Sequence, residues 1–348
     1  MATVQIGARR VGDGHACYVI AEAGSNHNGE FELAVRLIDV AAEAGADAVK
    51  FQVFKAHCLY PRNAGVSGYL NDPTPIFDVI RAMEIPDDWI PRLAVHCGER
   101  RLDFLASAFD EESTDLIAPY VPAFKVASYE MTHLPLVRHT AFKGKPVIVS
   151  TGTANLDEVG DTVRAFVDTG NRDLVLMQCT AAYPAPLDAL HLRAIGTLRE
   201  RFGVPVGLSD HSSDPVLAPI LAVACGASVV EKHFTLDRGM AGPDHRFAIE
   251  PQELALMIRR IRDAEEALGS PEKRTSPIEA ELRAFARRSL FTRGEIRAGE
   301  LLNPLNVVVL RNGAHAGGLS PDQLSSVLGK RALRDLAEDS LLRMEDLE

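Results

Sequence analysis

Two histidines, two lysines and a set of serines recur at matching points of one repeating pattern, and their types suggest two kinds of chemistry. His211, in SDH, and His233, in EKHF, each close a short apolar run. If those runs are neighbouring strands, ~5 Å apart, the two imidazoles could share one divalent ion, with water and substrate oxygens completing its shell. A lone histidine at a strand end more often makes a hydrogen bond; two of them, beside Asp210 and across from Glu22, favour a metal. With no third strong protein ligand in view, the expected ion is an exchangeable one, Mn2+ with Mg2+ or Co2+ as alternatives, and not a closed zinc site. The second chemistry is anion binding. Lys50, Lys125, Ser107, Ser128, Ser150 and the Gly152 backbone supply the cations, hydroxyls and amide that hold a phosphate ester. The competing expectation is that the lysines pair with Glu22 and Glu130 and do nothing else.

These residues need a scaffold that brings distant segments to one place. Eight short apolar, often β-branched runs are visible: 18–21, 48–52, 103–106, 123–127, 146–149, 174–178, 205–208 and 228–231. Helix-like stretches lie between them, such as FELAVRLIDVAAEA, with apolar residues at helical spacing and Gly45 as its stop. Strands alternating with helices make a parallel sheet covered by helices. Eight repeats over this length predict an α/β fold, a (β/α)8 TIM barrel, with a doubly wound open sheet as the rival. In such a barrel the carboxyl ends of the strands carry the active face, and every run here ends near a polar residue. Packing alone gives no reason to put Lys and Glu there, because unpaired buried charge is costly.

The rhythm stops near Leu268. LGSPEKRTSPIEAE reads as a linker, and the chain beyond it has short strand-like pieces with Gly turns. The expected organisation is a catalytic barrel over 1–268, a linker over 269–286 and a small, mostly β module over 287–348. The 348 residues carry a net charge of −11, with 46% hydrophobic and 24% charged residues, which suits a globular enzyme and argues against a nucleic-acid binder. Five scattered cysteines without a CxxC pair indicate neither a zinc knuckle nor a disulfide framework. The longest nearly apolar run, 216–230, is too short for a bilayer and is broken by Pro219 and Gly226, so no membrane association is expected. No signal-peptide core follows Met1, and the cytoplasm is the expected location.

With these residues in view, the sequence resembles the N-acetylneuraminate (sialic acid) synthase family, which includes the legionaminic and pseudaminic acid synthases. AEAGSNHNG, DAVKFQ, FKVASYE, VIVSTG, CTAAYP, GLSDH, EKHFTLD and GPDH occur in the family's order, and AGELL with VLRNG resembles its C-terminal antifreeze-like (SAF, β-clip) domain. The resemblance implies a barrel enzyme that condenses phosphoenolpyruvate (PEP) with an N-acetylated amino-sugar aldehyde. It also implies a homodimer in which the SAF domain of one subunit reaches the partner barrel. His211 and His233 match its metal ligands. Lys50, Ser107, Lys125, Ser128 and Ser150 match its PEP-binding positions, and Glu22 the carboxylate beside the reacting centre. Asn71, Tyr183 and Asp244 match sugar-contacting positions, and Arg311 the arginine contributed across subunits. Gln52, grouped with the sugar-binding residues, and Glu130, grouped with the catalytic ones, fall in matching motifs. Two departures stand out: Ala181 replaces a commonly polar residue, and Arg311-Asn312-Gly313 replaces Arg-Pro-Gly. Both bear on which sugar is accepted, N-acetylmannosamine or a 2,4-diacetamido-trideoxyhexose. The rival activities are a Schiff-base pyruvate aldolase using Lys125 or Lys50, and a non-catalytic carbohydrate- or ice-binding protein.

Overall fold

The computed structural model describes residues 2–68 and 73–348. They form two compact units, 1–269 and 270–348. In the first, a hairpin of β1 (Thr3–Ile6) and β2 (Arg9–Gly12) precedes eight parallel strands. These are β3 (Tyr18–Gly24), β4 (Ala48–Val53), β5 (Asp103–Ala108), β6 (Phe124–Val126), β7 (Val147–Ser150), β8 (Leu174–Cys179), β9 (Val206–Asp210) and β10 (Val229–His233). They pair in chain order, and β10 returns to β3 to close a barrel. The eight expected runs are the barrel strands, and the open-sheet rival is excluded by that closure. Most strands extend one or two residues past the apolar run, so the polar residues expected just beyond them lie within the ladder. The hairpin was not anticipated; its signal was the alternation of Val4 and Ile6 with exposed Thr3 and Gln5.

Because successive strand residues face opposite sides, each strand contributes to two cores. The outward set, including Val19, Val49, Phe104, Val149, Leu208 and Val230, packs under the helices. The inward set at the amino-terminal end, including Ile20, Ala48, Leu105, Ile148 and Val229, forms a second cluster with Val4, Ile6 and Val11 of the hairpin. The hairpin therefore plugs the barrel floor. It is tied there by Asp47, which accepts from the Val19 amide at 2.8 Å and from Arg262 at 2.9 Å, and pairs with Arg9.

Helices cover the outside for reasons visible in their sequences. α1 (Phe31–Ala44) buries Ala34, Leu37, Ile38 and Ala41 along one face, and its last carbonyls are capped by Gly45 at φ +86°. After it come α2 (Ala56–Leu59), α3 (Ile76–Ala82), α4 (Trp89–Glu99), α5 (Glu111–Ile117) and α6 (Leu134–Ala141). α7 (Leu156–Val167) opens with a reciprocal Asn155–Glu158 capping box. α8 (Ala194–Phe202), α9 (Leu217–Ala224) and α10 (Pro251–Leu268) complete the layer. Among the described residues, no helix is long and apolar enough to cross a membrane.

In the second unit, residues 277–279 form a 3-10 turn and α11 spans Ala280–Ala286, so part of the expected linker is helical. β11 (Arg288–Thr292) and β12 (Val307–Arg311) pair antiparallel, Arg288 opposite Arg311. The unit has its own core of Leu290, Ile296, Leu302, Val307, Leu336 and Leu342.

Closure leaves no room at one inward position. A Cβ on Gly207 would lie 2.4 Å from the Val229 carbonyl oxygen and 2.7 Å from the Val229 Cβ. Gly207→Ala must push β9 from β10, at an expected cost of about 1–3 kcal/mol. A thermal melt should show a midpoint several degrees lower; an unchanged midpoint would mean that the strands separate without penalty.

Candidate active site

Halfway up the barrel the inward positions change character. Above Ile20, Ala48, Leu105, Ala123, Ile148, Met177, Gly207 and Val229 come Glu22, Lys50, Ser107, Lys125, Ser150, Cys179, Ser209 and Glu231, each two residues on. Strand register then sets their neighbours. Glu22 pairs with Lys50, Gln52 with Ser107, Ser107 with Lys125, Ser209 with Glu231, and His233 with Glu22. The result is a polar ring lining a cavity of about 130 Å3 at the carboxyl-terminal mouth. That is well below the ~300–1,000 Å3 of sites for drug-sized ligands.

Four buried charges interlock in the ring. Lys50 Nζ lies 2.6 Å from Glu22 Oε2 and 3.6 Å from Glu231 Oε1, and donates to Ser107 Oγ at 3.0 Å. Lys125 donates to Ser150 Oγ at 2.7 Å and to the Val126 carbonyl at 3.2 Å, with Glu231 Oε1 at 4.0 Å. Lys50 thus does pair with Glu22, as the competing expectation held, but Lys125 turns to Glu231 and not to Glu130. Gln52 Nε2 donates to the other Glu22 oxygen at 2.8 Å. Burial pushes the Glu22 carboxyl up, with Lys50 pulling against it, and burial lowers the Lys125 amine.

The two histidines stand side by side at the ends of β9 and β10. Their ring centres are 5.6 Å apart, close enough for both to reach one ion through bonds of ~2.1 Å. His211 Nδ1 is 2.8 Å from the Thr180 carbonyl oxygen, so Nδ1 carries a proton and Nε2 is the ring nitrogen left to meet a cation. Burial, then the positive charge of His211 and the lysines, holds His233 well below the usual imidazole range. His233 Nδ1 is buried without a hydrogen-bond partner. Tyr183 packs on the His211 ring at 4.1 Å and Phe247 on His233 at 5.2 Å, fixing both orientations. No group of three or more His, Cys, Asp or Glu side chains gathers for a metal among the described residues. The donors present fit a two-histidine site for an exchangeable cation and do not fit a closed one. Asp210, expected beside the histidines, faces outward and binds Lys232 at 2.5 Å.

The remaining expected residues divide. Ser128 and Tyr183 line the cavity. Asp244, Gln52 and Glu22 converge on Gly24: a Cβ there would stand 3.0 Å from Asp244 Oδ2, 3.4 Å from Gln52 Nε2 and 3.5 Å from Glu22 Oε1. The Gly152 amide is already engaged, donating to Ser128 Oγ at 3.1 Å, so this glycine positions a serine and does not offer a free amide. Glu130 does not line the cavity, and its Oε2 is buried without a hydrogen-bond partner. Arg311 is exposed at the end of β12 in the second unit. Asn71 lies outside the described residues. His245, singled out by its place in GPDH, clamps loops together, through Thr235 Oγ1 at 2.6 Å and Asn28 Oδ1 at 3.1 Å. Sequence reasoning assigned no role to Glu231, Ser209 or Phe109, which also line the cavity. For Glu231 the signal was present, since it stands two residues before His233 and must share its face.

A closed parallel barrel with a charged, ligand-sized cavity at the carboxyl ends of its strands has the architecture of a (β/α)8-barrel enzyme. Comparison with known proteins narrows that class. Residues 37–273 match the model of the NeuB family, and residues 287–348 match the SAF domain. The chain belongs to the NeuB family. It is 41% identical to the spore coat polysaccharide biosynthesis protein SpsE of Bacillus subtilis, over 100% of this chain and 98% of that protein. It is 38% identical to the N,N'-diacetyllegionaminic acid synthase of Legionella pneumophila, over 98% of each. The crystal structure of an N-acetylneuraminic acid (sialic acid) synthetase from Leptospira borgpetersenii superposes with a TM-score of 0.73 at 30% identity, covering 81% of this chain and 96% of that one.

Burial pushes the Glu130 carboxyl from an ordinary 4.5 up to about 7. An acid whose folded value is raised holds its proton longer in the native state, so its contribution to stability falls as pH rises from 4.5 to 7 and is level above that. Glu130→Gln should remove that slope. Melts of both proteins across this range check it, and parallel profiles would show that Glu130 is not the group responsible.

Proposed function

We propose that this protein is a nonulosonic acid synthase, joining PEP to an N-acylated amino-sugar aldehyde with release of phosphate. The observation that carries the reading is the ring itself: each barrel strand places a charged or hydrogen-bonding side chain inward at one level. Family membership and relatives that act as sialic and legionaminic acid synthases support it.

In this reading Lys50 and Lys125, with Ser107, Ser128 and Ser150, hold the carboxylate and phosphate of PEP. Gln52, Tyr183, Asp244 and Asn71 are assigned to the sugar. His211 and His233 would hold a divalent cation, Mn2+ by preference, which when bound polarises the aldehyde oxygen as a Lewis acid. C3 of PEP forms a bond to the aldehyde carbon, C2 becomes cationic, water adds at C2, and the tetrahedral carbon expels inorganic phosphate to leave a 2-keto acid. Glu22, held by Lys50 and Gln52, stands where that positive charge develops and where the proton of the water must go. Arg311 is assigned to the barrel of a second subunit, which makes the active species a homodimer.

Metal-stripped protein, given PEP and either N-acetylmannosamine or a 2,4-diacetamido-trideoxyhexose, should release phosphate only with Mn2+ and one of the sugars. Borohydride trapping of pyruvate on Lys125, with activity retained in EDTA, would replace this reading by the aldolase one. Glu22→Gln should lower kcat at least about 100-fold while PEP still binds; wild-type kcat would remove Glu22 from the chemistry. Mixing and refolding an inactive Glu22 variant with an inactive Arg311 variant should restore part of the activity, and no recovery would place Arg311 in its own subunit or outside the site.

A further inference from the structure

We infer that the ion pair between Asp210 and Lys232 is a positioning device that sets the spacing of His211 and His233. The inference rests on the reading of those histidines as ligands of a divalent cation, and it concerns residues outside the cavity. The outward positions of β9 and β10 are Val206, Leu208 and Val230, all within the apolar layer under the helices. At the carboxyl end that pattern breaks: the next outward residues are Asp210 and Lys232, only 1% and 2% exposed. Lys232 Nζ lies 2.5 Å from Asp210 Oδ2 and donates to the Ser212 carbonyl at 2.7 Å, while Asp210 Oδ1 accepts from the Ser212 amide at 2.8 Å. The pair therefore clips the turn after β9 onto β10.

Its place in the ladder gives it a purpose. Asp210 opposite Lys232 is the last backbone pairing of β9 with β10, and the histidines are the next residue on each strand. His233 is still held by the ladder to β3, opposite Glu22. His211 lies past the end of β9, and its carbonyl oxygen accepts from the Ala185 amide at 2.8 Å. At the point where main-chain bonds stop joining the two strands, a side-chain pair takes over. Apolar residues of similar volume would serve stability as well or better, because desolvating two charges offsets most of their attraction. What they would not supply is direction: three short bonds fix the separation of two chain segments, where apolar packing leaves them free to slide. Supporting groups of this kind typically change metal affinity by ~10–100-fold.

The test is the double variant Asp210→Asn with Lys232→Met, in which Asn still accepts from the Ser212 amide and Met keeps the volume. Metal-free protein is titrated with Mn2+ and followed by electron paramagnetic resonance, and its thermal midpoint is recorded alongside. The expected result is a Kd weaker by about ten-fold at a midpoint near that of the wild type. An unchanged Kd would overturn the inference, and so would a loss of affinity that only tracks a large drop in midpoint. A wild-type protein that binds no Mn2+ would instead overturn the two-histidine reading on which it depends. Should the double variant not fold, Asp210→Leu with Lys232→Met replaces it, since buried ion pairs tolerate apolar exchange.

Discussion

Taking two lysines and two carboxylates out of water costs several kcal/mol per ion before any pairing, and the rest of this molecule is arranged around meeting that cost. Lys50 lies between Glu22 and Glu231, and Lys125 leans on Glu231 and Ser150. Removing any one member would strand a charge in a nearly closed space. The quartet is also nearly neutral as it stands, so an arriving anion must compete with Glu22 and Glu231 for the lysines. A site built this way holds cations in reserve for a charged ligand without leaving them unpaired in its absence.

Only a closed barrel can present such a set. The four residues come from β3, β4, β6 and β10, more than two hundred positions apart along the chain, and become neighbours because β10 pairs with β3. The same alternation that turns Glu22 inward turns Ala21 and Ala23 outward, so the lining of the cavity and the helix-covered core are determined together. The hairpin on the floor belongs to this logic. It fills the apolar half of the interior with Val4, Ile6 and Val11, leaving the mouth as the open end.

The histidine side of the site is held differently. His211 and His233 are fixed by aromatic packing from Tyr183 and Phe247 and by the Thr180 carbonyl, with few charged contacts of their own. Both rings line the cavity. Asp210, so close in sequence, contributes nothing to it, because one residue along a strand is the opposite face.

Much of this was readable in the chain alone. Strand–helix alternation specified the barrel, since period-two and helical patterns record which faces are buried. Strand-end chemistry singled out Glu22, Lys50, Ser107, Lys125, Ser150, His211 and His233, because charge at a buried position must have a use. Three things waited for the tertiary structure. Which lysine meets which carboxylate depends on barrel register, so the sequence offers Glu22 and Glu130 as competing partners and does not single out Glu231 for Lys125. Whether a polar residue faces the cavity depends on where its strand begins, and that phase misplaced Asp210 and passed over Glu231. The barrel floor depends on where a short hairpin docks, which the alternation around Val4 and Ile6 does not state. Periodicity along a chain is local and survives in the sequence, whereas register and closure are relations between segments that exist only once the barrel has formed.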